Sequence, residues 1–345
     1  MKRIVIILMI LSIVPNFLSA EIFPKVGTAG LQFLKLGIDA RGIGMGEAYT
    51  PYAKGASASY WNPAGLAYTN GSELFLNHLS YVADINFEYA TYAFNTSVGT
   101  FAFTGSILHM DWMEVTTEEI YGWNGMYFTC SDIMAGVSYA SRLTDKFSFG
   151  ITGKYLRENL DEYYVNGWSV DLGSLYDTGW RDLTIGMSLR NFGPNLKYTL
   201  DNDNDGAIDE DPFDLLDNDG DGLIDEDREE LDFPIPMNFS LGIAMNLYKE
   251  KLQSVDAVFQ LDNCVDRLET YNLGVEYCVG TFFLRSGYQF NLDCQGLSFG
   301  LGWKIPTSVA ILDLDFSYSR FGDLEEKLDG SFLTGPMRFS MKMKF

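Results

Sequence analysis

The 345 residues predict an all-β protein, a transmembrane antiparallel β-barrel with an N-terminal segment packed inside it. Three observations carry that expectation. Long stretches of the chain alternate strictly between apolar and polar residues. Aromatic residues make up 15% of the chain and Gly numbers 34, yet mean hydropathy is only −0.02, as expected where each strand shows one face to lipid and one to water. Beyond residue 14 no apolar run reaches the length of a membrane helix.

The last nine residues show the alternation most plainly. Met337, Phe339, Met341, Met343 and Phe345 interleave with Arg338, Ser340, Lys342 and Lys344. A strand of this period puts the apolar side chains on one face and the charges on the other. Leu312, Leu314, Phe316 and Tyr318 repeat it against Asp313, Asp315, Ser317 and Ser319. So do Leu297 to Trp303, Tyr271 to Tyr277 and Phe239 to Leu247, with Ser, Gly, Ala, Asn or Glu opposite. A soluble β-sandwich also alternates, but so many aromatic-tipped strands exceed what a finite core can bury.

Counted along the chain, the segments number about fourteen, an even total as bacterial barrels require. They span residues 72–81, 86–95, 98–108, 131–141, 146–158, 165–177, 181–193, 236–248, 253–263, 267–279, 281–291, 295–305, 308–321 and 331–345. With the first strand running outward, the periplasmic turns are 95–98, 143–146, 177–181, 247–251, 279–281 and 305–308. The opposite connections include 110–130, 159–165, 194–235 and 322–330. Short inside and long outside is the asymmetry of outer-membrane barrels. The expected organisation is therefore a signal peptide over 1–20, a luminal segment over 21–70 and a barrel over 71–345.

The signal peptide is read from Lys2 and Arg3, the apolar run 4–14, Pro15 and the small-residue exit Leu18-Ser19-Ala20. Its removal takes the formal charge from −23 to −25. A polyanion with no basic patch excludes nucleic acid as a partner and leaves outer-membrane lipid as the expected surrounding.

Residues 194–235 form an acidic insertion in an outward connection. Two repeats lie 16 residues apart: Asp201, Asp203, Asp205, Gly206 and Asp209 against Asp217, Asp219, Asp221, Gly222 and Asp225. Carboxylates at positions 1, 3 and 5, Gly at 6 and Ile208 or Ile224 at 8 match the first part of an EF-hand loop. Position 12 departs, being Pro212 and Arg228, and no helical pattern flanks either repeat. The arrangement is more similar to the tandem aspartate repeats of thrombospondin type 3, with Asp211 and Asp227 completing the shells. Residues 201–232 hold sixteen acids and one base, a density that repels itself without cations. Structural Ca²⁺ is the expected cofactor, a fitting that stiffens the loop.

Residues 27–67 do not alternate, and Gly and Ala dominate them. A segment this apolar suits the lumen better than a free tail, and Asn62-Pro63-Ala64-Gly65 reads as a turn. Here the chain resembles the PorV/PorQ family of outer-membrane proteins and, more distantly, FadL-like fatty-acid transporters. The resemblance rests on Gly27-Thr28-Ala29-Gly30, Gln32-Phe33-Leu34-Lys35, Ala40-Arg41-Gly42-Ile43-Gly44-Met45-Gly46 and Tyr60-Trp61-Asn62-Pro63-Ala64-Gly65-Leu66-Ala67. The chain departs from the family at Lys54-Gly55, where members often carry acids, and in the acidic insertion. The resemblance implies a FadL-like barrel whose luminal segment carries the motif residues Gly44, Met45, Gly46, Trp61, Asn62, Pro63, Ala64 and Gly65. It also implies type IX secretion, with secreted cargo and secretion-system proteins as partners.

Catalysis is not expected. Gly296-Leu297-Ser298-Phe299-Gly300 matches a nucleophile elbow but lies inside an alternating strand. His78 and His109 have no second histidine or cysteine nearby in the strand arrangement. Of the four cysteines, Cys264 and Cys294 fall in neighbouring outer connections and form a candidate disulfide, while Cys278 faces the lumen. Two functions stay open: a non-enzymatic secretion factor whose outer loops hold proteins, and a channel for hydrophobic small molecules gated by residues 27–67.

Overall fold

The computed structural model describes residues 26–82, 85–116, 123–161, 163–198, 231–291, 296–319 and 335–345. Fourteen antiparallel strands close into a barrel. In chain order they begin with β1 (Ser72–Ser80), β2 (Asn86–Thr96) and β3 (Gly99–His109). A two-stranded hairpin, β4 (Met113–Thr116) and β5 (Trp123–Phe128), stands apart from the wall. The wall resumes with β6 (Cys130–Arg142), β7 (Phe147–Leu160), β8 (Tyr163–Asp177) and β9 (Thr184–Phe192). A second short ladder joins β10 (Leu196–Tyr198) to β11 (Leu231–Phe233). The remaining wall strands are β12 (Asn238–Lys249), β13 (Gln253–Cys264), β14 (Thr270–Val279), β15 (Phe282–Phe290), β16 (Leu297–Pro306), β17 (Ile311–Ser319) and β18 (Met337–Lys344).

Every wall strand pairs with its sequence neighbour in the wall, and β18 closes on β1 with Leu74 opposite Met343 and Leu76 opposite Met341. The expected strands and the observed ones differ by a few residues at their ends. What the alternation did not reveal are the two hairpins outside the wall, because four- and three-residue strands are too short to show a period.

The period sets the two faces. In β12 Asn238, Ser240, Gly242 and Ala244 are buried, while Phe239, Leu241 and Ile243 are exposed. The rule holds around the wall: exposed positions include Tyr92, Phe103, Tyr155, Trp168, Met187, Leu284, Phe299, Trp303 and Phe339. An apolar belt on this scale far exceeds the few hundred Å² that a monomer tolerates in water, so lipid is its solvent. Inside, buried Thr, Ser, Asn, Gln and charged side chains alternate with apolar ones such as Phe75, Leu79, Phe87 and Leu156, which pack against the luminal segment.

The barrel has two unlike rims. At one, residues 97–98, 143–146, 178–183, 250–252, 280–281 and 307–310 make short turns. Gly280 takes φ +64° in one of the two two-residue turns, a left-handed conformation that favours glycine. The other rim carries the long connections, including the β4–β5 hairpin and the β10–β11 ladder.

Residues 29–68 fill the lumen. Leu31, Ile38, Ala40, Met45, Tyr49, Ala53, Ala56, Trp61, Ala64 and Leu66 are fully buried. The segment starts at the long-connection rim, where the Gly27 amide donates to the Asp266 carbonyl at 3.1 Å. It then crosses the barrel as short helical turns, Gln32–Lys35, Ala40–Gly44, Ala58–Trp61 and Pro63–Tyr68, to reach β1 at the opposite rim.

Candidate functional site

The luminal segment and the wall that receives it form the most constrained part of the molecule. Asp39 caps the Ala40–Gly44 turn by accepting from the Arg41 amide at 3.0 Å. Asn62 does the same for the Pro63–Tyr68 turn, accepting from Ala64 at 3.2 Å with Pro63 in the first position. The expected reverse turn at residues 62–65 is thus the start of a 3₁₀ helix. Gly65 is there for size: a methyl on it would sit 2.7 Å from Cβ of Ala58.

The wall meets the segment with glycines. Gly274 and Gly287, on β14 and β15, face Met45, and added methyls would come 2.8 Å from its Cβ and 2.5 Å from its carbonyl oxygen. Gly44 lies against Gly300 of β16, where a methyl would be 2.8 Å from the opposing Cα. Gly46, at φ +65°, approaches the Tyr288 amide as closely as 2.7 Å by the same measure. Gly150 and Gly173 seat Ala64 and Pro63, and Gly186 and Gly242 seat Pro51. Motif and wall are therefore complementary at the level of backbone on backbone.

Trp61 is the hub of the aromatic packing. Its ring lies edge-on to Tyr49 and Tyr60, with centroids 5.7 and 5.0 Å away. A methyl on Gly42 would lie 2.9 Å from it. The Arg190 guanidinium stands over both Tyr60 and Trp61, at 4.7 and 5.7 Å. Lys54, the departure from the family pattern, stands 4.6 Å over the Tyr68 ring, and its carbonyl accepts from Lys342 at 3.4 Å.

Charge locks the segment in place. Arg41 donates to Glu276 through Nε at 2.8 Å and Nη2 at 2.6 Å, a bidentate pair. Tyr52 adds a hydrogen bond to Glu276 at 3.0 Å. Arg285 extends the chain of charges, donating to Glu276 at 2.5 Å and to Asp315 at 2.6 Å. The bidentate bond compensates the Arg41 guanidinium for its removal from water.

A second tether sits at the long-connection rim. Asp266 accepts from Lys35 at 2.8 Å and Gln32 at 3.0 Å. Burial would raise this carboxyl, yet those hydrogen bonds outweigh it and hold it below its ordinary range. Cys264 also donates to Asp266, at 3.0 Å. Cys264 is buried and carries no disulfide to another described residue; Cys294, its expected partner, lies outside the described residues. The ten aspartates expected to hold calcium, Asp201 to Asp227, also lie outside them.

Ser298 lies within β16 and its hydroxyl donates to the Gly287 carbonyl at 3.3 Å; it stands on no strand-to-helix elbow. His78 faces outward, 2.6 Å from Glu88. Residue patterns alone missed the Arg41–Glu276–Arg285–Asp315 network. Its trace in the sequence is charge at inward positions of strands whose outer face is apolar.

A family described as type IX secretion system protein PorV matches residues 20–216, more than half of the chain. The chain belongs to that family. It is an outer-membrane β-barrel of the type IX secretion kind. No curated protein matches the chain in sequence. Among solved structures, the toluene transporter TodX of Pseudomonas putida matches at 14% identity, covering 89% of this chain and 96% of its own, with a TM-score of 0.53. The toluene transporter TbuX of Ralstonia pickettii gives 12%, 90% and 98%, with a TM-score of 0.52. A FadL homologue of Pseudomonas aeruginosa gives 14%, 90% and 98%, with a TM-score of 0.50. At such identities these barrels share the fold with the family member described here.

Proposed function

We propose that this barrel is a non-enzymatic secretion factor that holds cargo or partner proteins at its long-connection rim, on the cell exterior, and that its lumen does not serve as a path. The observation that carries the reading is the seated luminal segment. Its backbone lies against wall glycines from β7 to β16, and Arg41 is clamped to Glu276. A permeation route would have to break these contacts, whereas binding at a rim leaves them alone.

The distribution of charge supports the same end of the molecule. Each short turn balances its charges, as Asp145 does with Lys146 and Arg181 with Asp182. The long connections hold Asp111, Glu114, Asp161 and the fifteen-fold net negative stretch 201–232. Such a rim favours partners with a basic face and speeds their encounter.

Photocrosslinking in native membranes tests the proposal. A crosslinker at Trp112 or Tyr127, both exposed beside the β4–β5 hairpin, should capture secreted proteins that share a C-terminal domain. The same group at Val98 or Leu252, on short turns, should not. Capture of no protein at the long-connection rim would sink the reading. Transport of hydrophobic small molecules is the second reading, favoured by the fold shared with TodX and TbuX. It requires that deleting the gene lower uptake of such compounds.

A further inference from the structure

Where the luminal segment enters the barrel, a cavity of about 620 Å³ lies between it and the wall. Phe33, Leu36, Tyr81, Ile85 and Leu108 give it an apolar lining, and seven acidic or basic side chains reach it. Four are carboxylates, Glu47, Asp132, Glu158 and Asp266; three are cations, Lys35, Arg267 and Arg338. Among the described residues that line the cavity, carboxylates thus outnumber cations by one.

The surplus can be located. Lys35 is bound to Asp266 at 2.8 Å. Arg338 donates from Nε to the Gly37 carbonyl at 2.9 Å and from Nη1 to Ser319 at 3.3 Å, and together with Arg267 it attracts Glu47. Asp132 is different. It is 7% exposed, and no hydrogen bond or ion pair reaches its carboxylate among the described residues. Its partner directly across the β6–β7 ladder is Glu158, another carboxylate on the same inward face. A buried carboxylate with no counter-ion either takes up a proton or gains a cation, and Asp132 faces an open cavity through which a cation can reach it.

We propose that this cavity binds an organic cation, an ammonium carried on an apolar stem, with Asp132 as counter-ion and the Phe33, Leu36 and Leu108 side chains around the stem. The same chemistry is offered by a free small amine and by a lysine side chain on an extracellular polypeptide. Both fit a site that lies beside the long-connection rim, where Val26 and Gly27 border it. Arg267, whose Nε has no hydrogen-bond partner among the described residues, makes a small anion the rival occupant.

Calorimetric titration of the full-length protein in detergent separates these cases. The probes are 2-phenylethylammonium, a capped Gly-Lys-Gly peptide, 2-phenylethanol and phenylacetate. Saturable binding is expected for at least one of the two cations and for neither the alcohol nor the carboxylate. The tighter of the two cations names the source of the ligand. Asp132→Asn removes a like-charge contact, so the barrel should keep its heat-modifiable mobility while cation affinity falls at least tenfold. Leu108→Trp, which fills the cavity, should weaken binding as well, and His78→Ala on the outer face should not. Failure of both cations to bind overturns the inference. So does equal binding of 2-phenylethanol or phenylacetate, or unchanged affinity in the folded Asp132→Asn protein.

Discussion

Replacing Gly287 by alanine adds a single methyl group, yet it should unseat the luminal segment. The added carbon would lie 2.5 Å from the Met45 carbonyl oxygen and closer still to the Gly46 amide nitrogen. Those atoms belong to backbone on both sides, so no side chain can swing away. Overpacking of a rigid interior costs about 1–3 kcal/mol, and a backbone clash falls toward the upper end. About 2 kcal/mol raises the unfolded-to-folded ratio roughly 30-fold, since about 1.4 kcal/mol is a factor of ten. Gly105 is the matched control, because it faces outward on β3 and a methyl there meets nothing within 4 Å. Gly105→Ala should be neutral or slightly stabilising, as glycine weakens strand interiors. Equilibrium urea unfolding in lipid vesicles gives both values, and limited proteolysis around residue 27 reports the seat itself. If the two substitutions behave alike, the wall glycines are not a seat and the complementarity described above is incidental.

Three further outcomes follow from the same contacts. Arg41→Ala strips Glu276 of one of its two guanidinium partners, which should destabilise by about 3–5 kcal/mol, and the Arg41→Ala, Glu276→Gln double variant should recover part of that loss. Chemical unfolding of all three proteins in vesicles measures the coupling. The Asp266 carboxyl is held below its ordinary value, so its tether to Lys35 and Gln32 is complete above about pH 4 and is lost as pH falls through the depressed value. A spin label at Val26 should loosen on acidification in that range, and Asp266→Asn should loosen it at every pH. If the ten aspartates between Asp201 and Asp227 hold calcium, chelation should open residues 201–232 to protease and leave the heat-modifiable mobility of the barrel unchanged; collapse of the barrel would show that calcium does more than stiffen a loop.

The wall was legible in the sequence because its physics is local. Each residue of a β-strand chooses a face by parity alone, so Met337 to Phe345 announce a lipid face without reference to any partner. The short turns followed from the spacing between such runs. The seat was not legible, for a physical reason. Gly274, Gly287 and Gly300 sit on three successive strands, and only closure of the barrel brings them to Met45 and Gly44. The motif residues 44–46 and 62–65 could be picked out by resemblance, but what they touch depends on pairings more than 80 residues away. Arg41 and Glu276 are likewise joined across 235 positions. A sequence period carries no information about such pairs, and the hint that remained was charge on inward positions. The β10–β11 ladder shows the same limit, with three residues on each side and 32 residues between them.

Single-channel recording in planar lipid bilayers tests the central claim most directly. The purified full-length protein should insert and hold the current at baseline, because residues 29–68 stay seated under an applied potential. A variant lacking residues 27–67 should give steady open steps as water and ions enter the emptied lumen. If the full-length protein conducts as freely as the deletion variant, the luminal segment is no fixed closure, and the account of a barrel that works from its rim is wrong.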